Sequence, residues 1–356
     1  MPPSPSLSTP PNPPPAPVYP LYNTTYTLHR LSPLHSFPPS SLPSHATALS
    51  EILTGSTLRG VRIGLDTSDI SLSRAGALRG VSMRPLRSPD GWAAVYAVED
   101  TGLEEGGEEG WGVIIEITYE KANYTALLLR DITSSPTSSP ATTTEGGFTH
   151  LPLLLTRLPP PLRTTLLDFL STRFDTRASA MQLPSAFLKK ALGGYMDALM
   201  GGGGDVKGVV RDVVISTAFP IGGNGGAGGS GEGGGGELKA IDITISRDDI
   251  PNFLERGRNS ATSTTSTTTT TSTSTTTAAR ADEHPFWNAL HTYTTKHLAL
   301  DLSNPSVSVV KIACGAFVMA SEGRVKISAP TDGGRGEREG AEGVVGMLVA
   351  SAARVG

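Results

Sequence analysis

Residues 298–328 read LALDLSNPSVSVVKIACGAFVMASEGRVKIS, and the rest of the chain is organised around this stretch. Two strands are expected, Val307–Cys314 and Ala316–Ser328, with Gly315 and a turn near Glu322-Gly323 as punctuation. Val307, Val309, Val310 and Ile312 supply the β-branched density that suits a pleated, half-buried surface. Past the turn, Val325 and Ile327 alternate with Lys326 and Ser328, the period of two that gives a strand one dry and one wet face. The glycine- and charge-rich run from Asp332 to Glu339 follows, which places the last ordered strands at the end of the fold. A sheet edge there accepts a further strand.

Upstream, the ordered segments alternate with stretches that do not pack. Residues 1–17 form a disordered proline-rich tail, and 18–132 a strand-rich N-terminal half. Tyr22, Thr24, Tyr26 and Leu28 alternate on a first strand, and His45 to Leu53 has helical spacing. Segments 58–65, 80–86, 92–98, 111–119 and 124–132 follow as short strands, with an acidic loop at 99–110. Strands at this spacing without intervening helices argue for antiparallel pairing. The C-terminal half, 148–328, adds helices near 162–172, 184–199 and 285–299, a short one at 248–254, and strands within 206–219 and 238–246. Disordered insertions are expected at 133–147, 221–236 and 257–281, and a flexible tail over 329–356, within which Val344–Val355 forms a helix only if something covers its apolar side. The fold class is therefore α+β, a curved and mainly antiparallel sheet backed by helices, with long loop insertions.

Composition narrows the function. The 356 residues include 41 glycines and 28 prolines, gathered in runs, yet enough remains for one sizeable core. Charged residues make up 17% and the formal net charge is −4, so no global attraction to nucleic acid or to a membrane exists. No run of 18 apolar residues occurs, and no secretory leader is expected ahead of the proline-rich start. The sequons at Asn23 and Asn123 are read as chance matches. One cysteine, Cys314, excludes an internal disulfide and a multi-cysteine zinc site, and its apolar strand marks it as a packing residue.

Candidate chemistry is sparse. The glycine runs at 201–204 and 221–236 lack the Gly-Lys-Ser/Thr ending of a phosphate loop, and the second opens onto a strand where a dinucleotide site needs a helix. His284, His291 and His297 gather on one helix near Asp301, but no His-Glu-x-x-His pattern and no second ligating element accompanies them. No nucleophile elbow is present. The protein is therefore read as non-enzymatic, with no cofactor. A local strip of arginines, Arg59, Arg62, Arg74, Arg79, Arg84 and Arg87, lies in a region poor in acids. As a solvated strand face it needs no function. As a binding surface, Arg59, Arg62, Arg79 and Arg84 would contact a nucleic-acid backbone or an acidic partner.

Segments in order along the chain, among them PLYNTTYTLHRLSPLHSF (20–37), RAGALRGVSMRPL (74–86), LDFLSTRFDTRASAMQLPS (167–185), IDITISRDDIPNFL (241–254) and KHLALDLSNPSVSVVKIACGAFVMASEGRVKIS (296–328), resemble fungal kinetochore subunits of the centromere protein L (CENP-L) family. The resemblance covers nearly all of the parts expected to be ordered and breaks at the low-complexity loops. It implies an adaptor of the inner kinetochore, in the nucleus at the centromere, that pairs with a CENP-N-like subunit. The family's contact with that partner involves the C-terminal sheet, and the partner carries most of the recognition of the centromeric nucleosome. Apolar anchors are expected among Val307, Val309, Phe317, Met319, Val325 and Ile327, with main-chain hydrogen bonds supplying affinity. The competing readings are a nucleic-acid module built on the arginine strip and a metalloenzyme built on the histidines.

Overall fold

The computed structural model describes residues 18–55, 74–89, 91–92, 112–131, 147–201, 211–219, 240–265, 284–330 and 335–354. The expected strand at 58–65 and most of those at 92–98 lie outside these residues. In chain order the elements are β1 (Thr25–Leu31), β2 (Leu34–His35), α1 (Leu42–Gly55), β3 (Leu78–Leu86), β4 (Gly112–Tyr119), β5 (Asn123–Leu129), β6 (Phe148–Thr149) and β7 (Leu153–Arg157). There follow α2 (Pro160–Phe174), β8 (Ala178–Ala180), α3 (Ser185–Gly201), β9 (Val213–Ala218), β10 (Ala240–Ile245), α4 (Ile250–Thr265), α5 (Pro285–Leu298), β11 (Ser308–Ala313), β12 (Phe317–Ala320), β13 (Arg324–Ile327) and α6 (Arg335–Ala353).

Eleven strands join in one open sheet, ordered β10-β9-β11-β12-β13-β1-β7-β5-β4-β3, with β8 on the flank of β1 beside β13. Every ladder in it is antiparallel, as the α+β reading expects. β2 and β6 form a separate two-stranded ribbon.

The two halves of the sheet are covered differently, and the sequence follows from that. β4, β5 and β7 (GVIIEITY, NYTALLL, LLLTR) are nearly continuous apolar runs because both of their faces are dry. Leu127, Leu129, Leu153 and Leu155 join a core with α3, α4, α5 and α6, whereas Ile115, Ile117, Leu128 and Leu154 join a second core with α1 and α2. β9 to β13 alternate because, among the described residues, helices cover only one face. Val213, Ile215, Ile312, Phe317, Met319, Val325 and Ile327 enter the first core, and the residues between them stay half-buried or exposed. Burying such a side chain is worth about 1.5–3 kcal/mol, so this alternation fixes which face is dry.

The turn expected near Glu322-Gly323 divides the segment 316–328 into a tight hairpin, β12 and β13. Gly323 makes the turn at φ +82°, and a Cβ there would sit 1.9 Å from the Met181 carbonyl oxygen, so only glycine fits. Its carbonyl accepts from the Leu28 amide, tying the turn to β1.

The flexible tail expected over 329–356 is corrected by α6. Ala341, Val344, Val345, Leu348, Val349 and Ala352 are buried at helical spacing, and Gly336 and Gly340 pack the helix closely on α3. A Cβ on Gly340 would lie 2.6 Å from Tyr195 Cδ2, and one on Gly336 3.1 Å from the Ala198 carbonyl oxygen. The glycines that suggested a linker are what let the two helices approach. The boundary expected at 257 also moves, since α4 continues from Ile250 to Thr265 into the Ser/Thr tract.

Candidate partner-binding edge

The stretch 307–328 is interior to the sheet. β11 lies between β9 and β12, and β13 between β12 and β1, so no free edge exists there. Five of the six expected anchors are core: Val309, Phe317, Met319, Val325 and Ile327 are at most 3% exposed, and only Val307 is half-buried. Tyr26 faces Val325 across β1 and β13, and Phe317 meets the Tyr195 ring edge-on at 5.7 Å. Being last among the strands in sequence did not make this hairpin last in the sheet. The chain returns to its own first strand, and Asn23 donates its amide to the Ile327 carbonyl at 2.6 Å.

The terminal strands are β10 and β3. β10, AIDITI, belongs to the C-terminal half and has one strand neighbour among the described residues, β9, paired residue for residue from Ala240↔Ala218 to Ile245↔Val213. Ile243 and Ile245 hold it to the core, while Ala240, Asp242 and Thr244 are exposed on its other face. The alternation of Ile241, Ile243 and Ile245 with Asp242 and Thr244 makes it legible in the sequence as a half-exposed strand. Its position at the rim is not.

β3 carries Arg79 and Arg84. Arg84 meets Glu116 of β4 at 2.5 Å, where Ser82 also donates at 3.2 Å, and its guanidinium lies 6.0 Å from the Trp92 ring centre. Arg79 reaches Glu120 at 3.4 Å. Register explains the pairing, since Ser82 faces Glu116 directly across the ladder. Arg84 thus stands beside a carboxylate of β4 and Arg79 beside one in the turn that follows it, which offsets the positive charge of these two members of the strip. Arg59 and Arg62 lie outside the described residues.

The histidines do not converge. His284 caps α5, accepting the Phe286 amide at Nδ1, and its Nε2 is 3.1 Å from Asp197. His291 instead approaches Asp301, at 3.4 Å, and the His297 ring lies tilted against that of Tyr293, 4.7 Å between centres. Among the described residues no group of three His, Cys, Asp or Glu side chains is placed to hold a metal ion. Cys314 is half-buried against the larger core, and desolvation pushes its thiol up to about 11 despite the nearby Phe317 and Ala316 amides. That leaves it a neutral packing group. Among the described residues no helix is long and apolar enough to cross a membrane.

The family model for centromere protein L matches residues 20–353. The chain belongs to the CENP-L family. The match begins where Pro20 and Leu21 strap the N-terminus onto the sheet and runs to the last residue of α6, so this helix lies inside the span of the CENP-L family. CENP-L is a structural family of the kinetochore, and membership implies a place at the nuclear centromere. No curated protein matches the chain.

Proposed function

We propose that this CENP-L protein is a non-enzymatic inner-kinetochore adaptor, forming a heterodimer with a CENP-N-like subunit through its C-terminal sheet. In that role it helps link centromeric chromatin to the kinetochore for chromosome segregation in mitosis, and nucleosome recognition falls mostly to the partner. The observation that carries this reading is β10, the terminal strand of the C-terminal half. An added strand would gain a ladder of main-chain hydrogen bonds, with Ala240, Asp242 and Thr244 on one face and the isoleucines on the other giving selectivity. The charge of Asp242 and the short length of the strand guard the free protein against indiscriminate pairing.

Successive N–H groups of an antiparallel strand point to opposite sides, so of Ile241→Pro and Asp242→Pro one breaks a bond to β9 and the other blocks the outer edge. The variant that keeps the wild-type melting curve should lose co-purification with a co-expressed CENP-N-like subunit. If that fold-preserving variant still co-purifies, the edge is not the contact.

A further inference from the structure

The face of β9 to β13 turned away from α3 and α6 has an order of its own. Two rows cross it in register. One runs Lys326, Val318, Ala313, Val214, Thr244, and the next runs Arg324, Ala320, Lys311, Ser216, Asp242. At the β1 end the second row continues through Thr27 to Thr156, which is buried. Two residues along β1 on that same face, His29 is buried opposite Leu154 of the α1–α2 core and feels the charge of Arg163 on α2. The layer formed by α1 and α2 therefore ends over β1, and the sheet continues beyond it with no described helix in that layer. Five strands at about 4.8 Å spacing span roughly 20 Å, room for a helix some 10 Å across.

The composition of this face departs from a solvated one. Its centre is small and apolar, Val214, Ala313, Val318 and Ala320, all half-buried. Cations stand around this centre towards β1: Lys311, Lys326 and Arg163 have no carboxylate at ion-pair distance among the described residues, and Arg324 meets only Glu322 of its own turn, at 3.6 Å, whereas Asp242 is exposed at the far, β10 end. In a chain of net charge −4 this local gathering of cations, three of them without a carboxylate partner among the described residues, runs against the average. Charge complementarity calls for an acidic occupant, and the low apolar centre calls for one with an apolar stripe. A nucleic-acid backbone matches the cations but not the Val/Ala centre or Asp242 at the rim.

We infer that this face docks an acidic amphipathic helix from another subunit, laid beside α2 as a continuation of the same layer. Its apolar residues would rest on Val318 and Val214, and its carboxylates would meet Lys311 and Lys326. The surface is separate from the β10 edge and does not depend on the strand-addition reading.

The test uses the full chain within its purified native assembly. A water-soluble carbodiimide joins a lysine amine to a carboxyl group as an amide, the reagent taking up the water lost as its urea. Lys311 and Lys326 should couple to aspartates or glutamates in one segment of another subunit, with apolar residues at helical spacing. Acetylation of both lysines should be about tenfold slower in the assembly than in the free chain, as for residues in an interface core, with exposed Lys121 unchanged. Lys311→Glu combined with Lys326→Glu should release that subunit, retain the β10 partner and leave the melting curve unaltered. Equal acetylation rates in the two states would overturn the inference. So would protection that disappears on nuclease treatment, coupling to this chain's own carboxylates, or coupling to an extended segment.

Discussion

Gly340 offers a test of the α3–α6 contact in which one substitution, repeated along one helix, changes sign. Replacing glycine by alanine in a helix interior gains about 1 kcal/mol from propensity. At Gly343 and Gly346 a Cβ would meet nothing within 4 Å, so the gain should appear in full. At Gly340 the same atom would lie 2.6 Å from the Tyr195 ring, roughly 1 Å inside ordinary contact. Tyr195 cannot swing aside, being 1% exposed and wedged edge-on against Phe317. Overpacking of this kind costs about 1–3 kcal/mol, so Gly340→Ala should be net destabilising by about 1 kcal/mol. For a folded unit of this size each kcal/mol moves the melting midpoint by about 2–4 °C. Thermal and urea melts of the three single variants should therefore show two increases and one decrease. If Gly340→Ala stabilises like its neighbours, α6 does not pack on α3 through this glycine.

Other perturbations follow from burial and charge. Val325→Asp places a carboxylate at a site 1% exposed, a cost of several kcal/mol against a typical total of 5–15, so the near-ultraviolet circular dichroism of the variant should collapse. Lys326→Glu, one residue along on the open face, should melt like the wild type. Burial lowers the pKa of His29, with Arg163 adding to it, and burial lowers that of His45, with Arg173 adding to it. The unfolded chain then binds more protons below pH 6.5, so stability should be level above that value and fall as pH drops towards the folded pKa. Melting midpoints between pH 7.5 and 5 should trace this, and His45→Phe, in the aromatic cluster with Phe37 and Phe174, should flatten the slope. Tyr26 donates its hydroxyl to the Pro20 carbonyl at 2.6 Å, so Tyr26→Phe should cost about 1 kcal/mol and speed proteolysis within 18–24.

Local pattern was enough for most elements and for their antiparallel pairing. The alternation of Ile241, Ile243 and Ile245, the helical spacing of Phe286, Trp287 and Leu290, and the run ALLL in β5 each encode a local environment. The second half of α6 is legible only as a helix conditional on a cover, because Gly336, Gly340, Gly343 and Gly346 suggest a linker when propensity is summed, although Ala341, Val344, Val345, Leu348 and Val349 repeat at helical intervals. A glycine in a helix lowers its intrinsic stability, but tertiary contact repays it when the partner is as close as Tyr195. β8 was invisible for a related reason. Three residues, ASA, carry no pattern, and only their register against His29, Arg30 and Leu31 makes them a strand.

The candidate site was less legible than the fold because an edge is not a property of any segment. Strands 308–327 have the composition of a half-exposed sheet, and that reading holds for each of them. Their rank in the sheet depends on where Thr25–Leu31 pairs, some 300 residues earlier, and the antiparallel pairing of β13 with β1 converts the end of the sequence into the middle of the sheet. Register bears on two members of the arginine strip in the same way. Arg79 and Arg84 stand in a stretch poor in acids, yet Glu116 and Glu120, more than 30 residues on, are brought beside them by one hairpin register. Conversely, Lys311 and Lys326 carry no local signal in a chain of mixed charge, and become a surface only because two rows of the same register set both on one face, with no carboxylate at ion-pair distance among the described residues. Local periodicity fixes which side of a strand is wet. Whether that wet side is a binding surface is decided by residues that only the register brings together.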